Sequence, residues 1–396
     1  MSATEAVTAQ LEALHRVHAQ TNAVVWFEDA RALADAAVLD QAFAKGGAVG
    51  PLHGLPVTIK DWIDVEGFPC AGESGNGSRR PDADATVARR LREAGAVIIA
   101  KSRVWGRERP GGRVTHPVDP ARSVGGSSSG EAVAVATGAS PLGLGSDSGG
   151  SIRLPAAWCG VLGFKPTAGR VPLTGHYPRV GALSDGRTQI GPLARTVADL
   201  ELALAVIAGP DWRDAGVAPV PLLPARQARL QGIRFAVLTS EDGWAAQPEI
   251  AAAVERAAVV LQDRGATRSA WPLPRWLADA LDITQRYWCR DELTGADAER
   301  MLWDWDRYRR RYLEAAEQID LLITPTTPQT APLDRPITAD DFIWTLPASL
   351  TGSPALAVPR ATDQSGLPAS VQLVGRPWED HRVLATAHVI AEAATT

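Results

Sequence analysis

The spacing of apolar and polar positions divides the chain into short elements. Apolar residues recur at helical intervals over about 5–20 and 28–45, which predicts two amphipathic helices. A Gly/Pro-rich turn then leads into the run Leu-Pro-Val-Thr-Ile-Lys, a strand over 55–60. A turn-rich loop, 67–81, separates it from a helix over 85–94 and a strand over 96–100. Residues 131–139 are Ala/Val-rich and predict a short buried helix, and 141–145 a buried strand. Further on come a helix over 196–208 capped by Thr196, a strand over 233–238 and a helix over 250–264. Helices fill 276–318, and strands over 320–324, 355–358 and 369–374 precede a last helix from about 380. Helices alternating with short strands apolar on both faces predict an α/β fold: a mixed β-sheet core covered by helices on both faces. No Gly/Ser or Pro-rich linker interrupts the pattern and no repeat is found, so a single domain over 1–396 is expected.

Composition narrows the partners. The chain is 45% hydrophobic and 21% charged with a net charge of −5, which offers no basic excess for nucleic acid or anionic membrane. No apolar run reaches the roughly 18 residues of a membrane helix, and the N-terminus lacks the basic start of a signal peptide. A cytoplasmic location is expected. Cys70, Cys159 and Cys289 lie far apart and form no CxxC, which argues against a disulfide framework or a zinc site. There are only four lysines, Lys45, Lys60, Lys101 and Lys165, among 40 basic residues. Where charge alone matters arginine has replaced them, so the survivors are candidates for a task that needs deprotonation.

Chemistry concentrates in residues 124–155, VGGSSSGEAVAVATGASPLGLGSDSGGSIRLP. A flexible linker would also be rich in Gly and Ser, but here the serines sit at the ends of ordered elements. A strand ending in Ser-Asp-Ser-Gly-Gly-Ser turns several backbone N–H groups together, as an oxyanion site requires. Gly126-Ser127-Ser128-Ser129-Gly130 formally matches a nucleophile elbow centred on Ser128, but the preceding THPVDPARSV makes a poor strand. No lysine follows a serine by three positions, and no phosphate-binding loop or dinucleotide fingerprint is present. A serine pair with a lysine remains: Ser151 as nucleophile, Ser127 as relay and Lys60 as base. A free lysine titrates near 10.4, so a base working near neutrality must be lowered by roughly two to three pH units, which burial can supply.

These residues resemble the signature of the amidase signature family. The likeness runs through Gly125-Gly126-Ser127-Ser128-Ser129-Gly130, then Gly143, Gly145, Asp147, Gly149, Ser151-Ile152-Arg153 and Pro155. It extends to GPLHGLPVTIKD, GFKPTAGRVPLTG, DLLITPTTP and GLPASVQLVGRPWEDHRVLATA. The resemblance implies an amidase-signature fold with its core over about 50–200. Lys60 would be the base, Ser127 the relay held by a cis peptide, and Ser151 the nucleophile. The N–H groups of Ser148, Gly149, Gly150 and Ser151 would form the oxyanion hole, braced by Asp147 and Arg153. Gly126, Ser128, Trp303 and Trp305 are candidates for the substrate pocket, the tryptophans within a variable helical region over about 270–320. Departures from the family pattern are Arg103 for asparagine, His116 before Pro117, Ser129 for glycine and a short 101–123 segment.

The expected function is a stand-alone amidohydrolase that cleaves a small-molecule carboxamide to an acid and ammonia or an amine, with no cofactor and no metal. A homodimer is left open. Two alternatives use the same acyl-enzyme: the glutaminase subunit of a tRNA-dependent amidotransferase, and a biosynthetic acyltransferase.

Overall fold

In the computed structural model, residues 1–47, 49–70, 79–105, 112–180, 185–241 and 243–393 are described. Their centre is an eleven-stranded mixed sheet. Strands β1 (Val24–Phe27), β2 (Pro56–Lys60), β3 (Val97–Ser102) and β4 (Leu142–Asp147) form one flank, in which β2 runs parallel to both β3 and β4. Strands β5 (Leu162–Lys165) and β6 (Gln189–Ala194) extend this flank, β6 pairing antiparallel with both β4 and β5. The far half adds β7 (Arg234–Val237), β10 (Thr267–Ser269), β11 (Leu321–Pro325), β12 (Ala355–Thr362) and β13 (Pro368–Gly375). The order across the sheet is β1-β3-β2-β4-β6-β5-β12-β13-β11-β7-β10, and a small hairpin of β8 (Ser240–Glu241) and β9 (Trp244–Ala245) stands apart.

Helices cover both faces, as the doubly apolar strands predict. One face buries Val57, Ile59, Ile98 and Leu144 beneath α3 (Thr86–Glu93), α6 (Val197–Ile207), α7 (Pro248–Asp263) and α11 (Asp380–Glu392). The other buries Val97 and Ile99 beneath α1 (Ala3–Thr21), α2 (Asp29–Ala44) and α4 (Ser129–Ala136). The residue alternation within β3 thus feeds two cores. In β2 the same alternation has a chemical consequence. Val57 and Ile59 enter the first core, so Thr58 and Lys60 project to the opposite face, where α4 lies and Thr58 donates to Glu131 of α4 at 2.6 Å. On this same face α5 (Arg153–Cys159) follows the second serine turn, and α8 (Trp276–Trp288), α9 (Gly295–Ala316) and α10 (Leu346–Thr351) close the far side.

Several predicted elements shift slightly. The helix expected over 131–139 starts two residues earlier, at Ser129, and the strand expected over 141–145 runs on to Asp147. Strands β1, β5 and β6 and helices α5 and α10 were absent from the sequence pattern. Each is short or carries Gly or Pro inside it, and tertiary pairing outweighs the local signal. Part of the turn-rich 67–81 loop, and part of the short 101–123 segment, lie outside the described residues.

Candidate active site

Two loops meet at the C-terminal end of β4. The first is the turn of residues 148–151 between β4 and α5. Gly150 has φ +141°, and a Cβ there would fall 2.2 Å from Thr345 Oγ1, so both conformation and space demand glycine. The turn is clamped from below. Arg153 donates to both Asp147 oxygens at 2.9 Å, and also to Thr345 O, Gln372 Oε1 and Ser349 Oγ. Asp147 and Arg153 are both fully buried. Burial works against ionisation of Asp147, but the Arg153 charge and hydrogen bonds outweigh it and hold the carboxyl below its ordinary range. Thr345 Oγ1 donates to Gly149 O at 2.6 Å, which fixes that peptide plane. The result is a clamped turn from which Ser148, Gly149 and Ser151, but not Gly150, border the cleft.

The second loop brings the first serine cluster against it. The Gly126–Ser127 peptide is cis, and Ser128 N donates to Ser151 O at 3.1 Å. Lys60 Nζ lies 2.6 Å from Ser127 Oγ, 3.0 Å from Ser146 Oγ and 3.2 Å from Ser146 O. The Lys60 side chain is fully buried, and the Trp62 ring covers it with its centroid 4.3 Å from Nζ. His176 settles the polarity of this network. Its Nδ1 faces Pro178 O at 2.9 Å, and a carbonyl can only accept, so Nδ1 carries the proton. Nε2, 3.0 Å from Ser146 Oγ, then accepts from the Ser146 hydroxyl. Ser146 Oγ therefore accepts from Lys60, as its carbonyl does. Lys60 Nζ thus donates to both Ser146 oxygens and sits within hydrogen-bond distance of Ser127 Oγ.

Comparison with known proteins gives the family. A profile of the Amidase family matches residues 5–294 and 290–384. The chain belongs to the Amidase family. A glutamyl-tRNA(Gln) amidotransferase subunit from a Picosynechococcus species is 32% identical over a 464-residue alignment, spanning 99% of this chain and 95% of that one. A structure described as a vestigial complex revealing the origins of an s-triazine catabolic enzyme superposes with a TM-score of 0.88 at 30% identity, covering 99% of this chain and 95% of that one. A 6-aminohexanoate cyclic dimer hydrolase complexed with substrate gives a TM-score of 0.84 at 27% identity, covering 100% and 94%. As an Amidase family member the chain is an enzyme of amide C–N bonds. Among its described residues no helix is long and apolar enough to cross a membrane.

Within this family frame the cleft has a volume of about 460 Å³, and Ser127, Ser148, Gly149 and Ser151 all open onto it. Gly126 lines it too, pressed so closely on Trp105 that a Cβ would lie 2.5 Å from that side chain. The other predicted pocket residues lie elsewhere. Ser128 is fully buried behind the loop and does not reach the cleft. Trp303 is 56% exposed: α9 buries Met301, Tyr308 and Tyr312, and Trp303 falls on the outer side of that stripe. Trp305 donates to Leu350 O at 2.7 Å and packs edge-on against Tyr287, so it supports the wall from behind. The aromatic wall is instead formed by Trp62, Trp105, Trp288 and Phe342. Ser146, His176, Arg187 and Tyr287 also border the cleft and were not singled out from sequence. Ser146 had a signal, standing beside Asp147 at the strand end; the other three had none.

The buried state of His176 makes a measurable prediction. Burial, opposed by the hydrogen bond to Pro178, lowers its pKa to about 4 from the ordinary 6.5. Between these values the unfolded chain binds a proton that the folded chain refuses, so stability falls as pH drops through this window and levels off below it. From pH 6.5 to 5 the loss due to His176 is about 1.5 kcal/mol. Urea unfolding of His176→Gln should show a shallower decline over this range. Parallel slopes for the two proteins would show that His176 is not held neutral.

Proposed function

We propose that this enzyme hydrolyses a small-molecule carboxamide to a carboxylic acid and ammonia or an amine through an acyl-enzyme on Ser151. The observation that carries the reading is the 2.6 Å contact of Lys60 with Ser127, a serine that opens onto the same cleft as Ser151. Lys60 takes the Ser127 proton while Ser127 takes the proton of Ser151, whose oxygen attacks the amide carbon. The N–H groups of the 148–151 turn face the negative charge that develops on the carbonyl oxygen. The proton then returns through Ser127 to the departing nitrogen, and water repeats the sequence to release the acid. Asp147 and Arg153 act only through the turn they hold.

The expected result in intact mass spectrometry, with a panel of amides quenched in acid, is one acyl mass added to the protein and mapped to Ser151. Turnover without any Ser151 adduct under burst conditions would count against the covalent route. The amidotransferase relatives favour a second reading, a glutaminase that works within a complex. Ammonia release from glutamine that appears only with co-purifying partner chains would support it, whereas turnover of simple amides by the chain alone would support the first.

A further inference from the structure

Arg187 lies two residues before β6, whose Gln189 pairs with Asp147 at the root of the 148–151 turn. Its side chain borders the cleft yet is only 1% exposed. The Tyr287 ring lies 4.0 Å from its Cζ and holds the guanidinium plane in place. Only long contacts reach it otherwise, Nη1 to Thr284 Oγ1 at 3.3 Å and Nη2 to Ser148 Oγ at 3.4 Å, and Nε has no hydrogen-bond partner. Among the described residues no carboxylate pairs with it. The nearest acid in sequence, Asp185, lines the same cleft, and its charge favours the ionised guanidinium. Its oxygens, however, accept from the backbone N–H of Arg187 and Thr188 and from the Thr188 hydroxyl rather than from the Arg187 side chain. Arg290 stacks on the same Tyr287 ring at 4.3 Å and also borders the cleft, adding a second positive charge.

A desolvated guanidinium with a vacant N–H edge is costly unless an anion completes it. Its planar fork matches a carboxylate in two parallel hydrogen bonds. The contact with Ser148 places this fork at the first residue of the turn that faces the reacting carbonyl. An anion seated there is only a few bonds from the scissile amide.

We propose that Arg187 is the anchor for a carboxylate carried by the substrate, so that the preferred substrates are short carboxamides bearing a second, ionised carboxyl group. This rests on the amidase reading above and names its substrate class. The aromatic wall would cover the short spacer between the two groups.

The test compares malonamate, succinamate and glutaramate with their neutral diamides. For at least one chain length the wild-type kcat/KM should favour the anionic member by about 10- to 100-fold, the range of a charge-assisted hydrogen-bond pair. Arg187→Gln should bring this ratio close to one, and Arg187→Lys should leave it in between. The wild-type comparison needs no variant, so it stands even if Arg187→Gln fails to fold. Calorimetric binding of the same amides to Ser151→Ala supplies a readout independent of turnover. Preferential binding of an anionic amide there, without turnover by the wild type, would support the anchor and sink the hydrolase reading. Turnover of amides with no preference for any anionic member would overturn the anchor and leave the hydrolase reading intact. An anionic preference unchanged in folded Arg187→Gln would overturn it as well.

Discussion

Ser151→Ala is expected to lower kcat by about a thousandfold or more while the protein unfolds at nearly the wild-type temperature. The two halves of this expectation have separate physical causes. Ser151 is half-buried in a turn whose shape is held by other groups: its carbonyl accepts from Ser128 N, Gly149 is held by Thr345, and Arg153 ties Asp147 to α10 with its N-cap and to β13. Removing one hydroxyl oxygen takes no packing volume from a core, so stability should move by roughly half a kcal/mol or less. Chemistry has no such reserve. Residues of a nucleophilic set act as a unit, and losing the nucleophile alone removes most of what the set achieves. The oxyanion turn and the cleft survive, so slow residual turnover through bound water is compatible with the assignment. Turnover within tenfold of wild type in a folded Ser151→Ala would remove Ser151 from the nucleophile's role.

The parts of this site that were legible in sequence are those fixed by the backbone. A turn that needs Gly150 at positive φ, with a strand before and a helix after, leaves a dense Gly/Ser pattern. Asp147 and Arg153, six residues apart, brace that same local turn, so one stretch of sequence contains the turn and its nearest brace, while Thr345, Ser349 and Gln372 reach it from distant segments. Lysine scarcity was informative but not selective. Lys60, Lys101 and Lys165 are all fully buried, and only the fold shows that Lys101 turns to Asp61, Lys165 to Pro166 O and Lys60 to Ser127. The cleft walls were less legible because they are assembled from distant segments. Trp62, Trp105, Trp288 and Phe342 converge from four parts of the chain, and nothing local marks them. Trp303 stood out by residue type, yet a helix phase of one or two positions decides whether such a side chain meets substrate or solvent. His176 and Arg187 lie in a segment without any distinctive local pattern. Their roles depend on which atoms face Ser146 and Tyr287.

Lys60→Arg is expected to be as inactive as Lys60→Ala, with kcat/KM reduced by a factor on the order of 10² to 10⁴, the usual worth of a general base. Arginine is charged and can still donate to Ser146 O and Ser146 Oγ, so a charged lysine that served only to hold these groups would tolerate the exchange in part. It cannot accept a proton from Ser127. The larger guanidinium must also fit between Ser146, Ser127 and the Trp62 ring, which adds about 1–3 kcal/mol of overpacking. The measurement must therefore separate lost chemistry from lost fit. A pH profile does so. In the wild type kcat/KM should rise with pH through an apparent pKa that belongs to the coupled lysine–serine site. In Lys60→Arg this rise should vanish, because the guanidinium cannot take up the Ser127 proton at any pH in the profile. Small primary amines should restore part of the activity of Lys60→Ala, which has room for them, but not that of Lys60→Arg. If Lys60→Arg instead kept substantial activity with the wild-type pH profile, the proton of Ser151 would have to leave by another route, and neither Ser127 nor Lys60 could retain its proposed role.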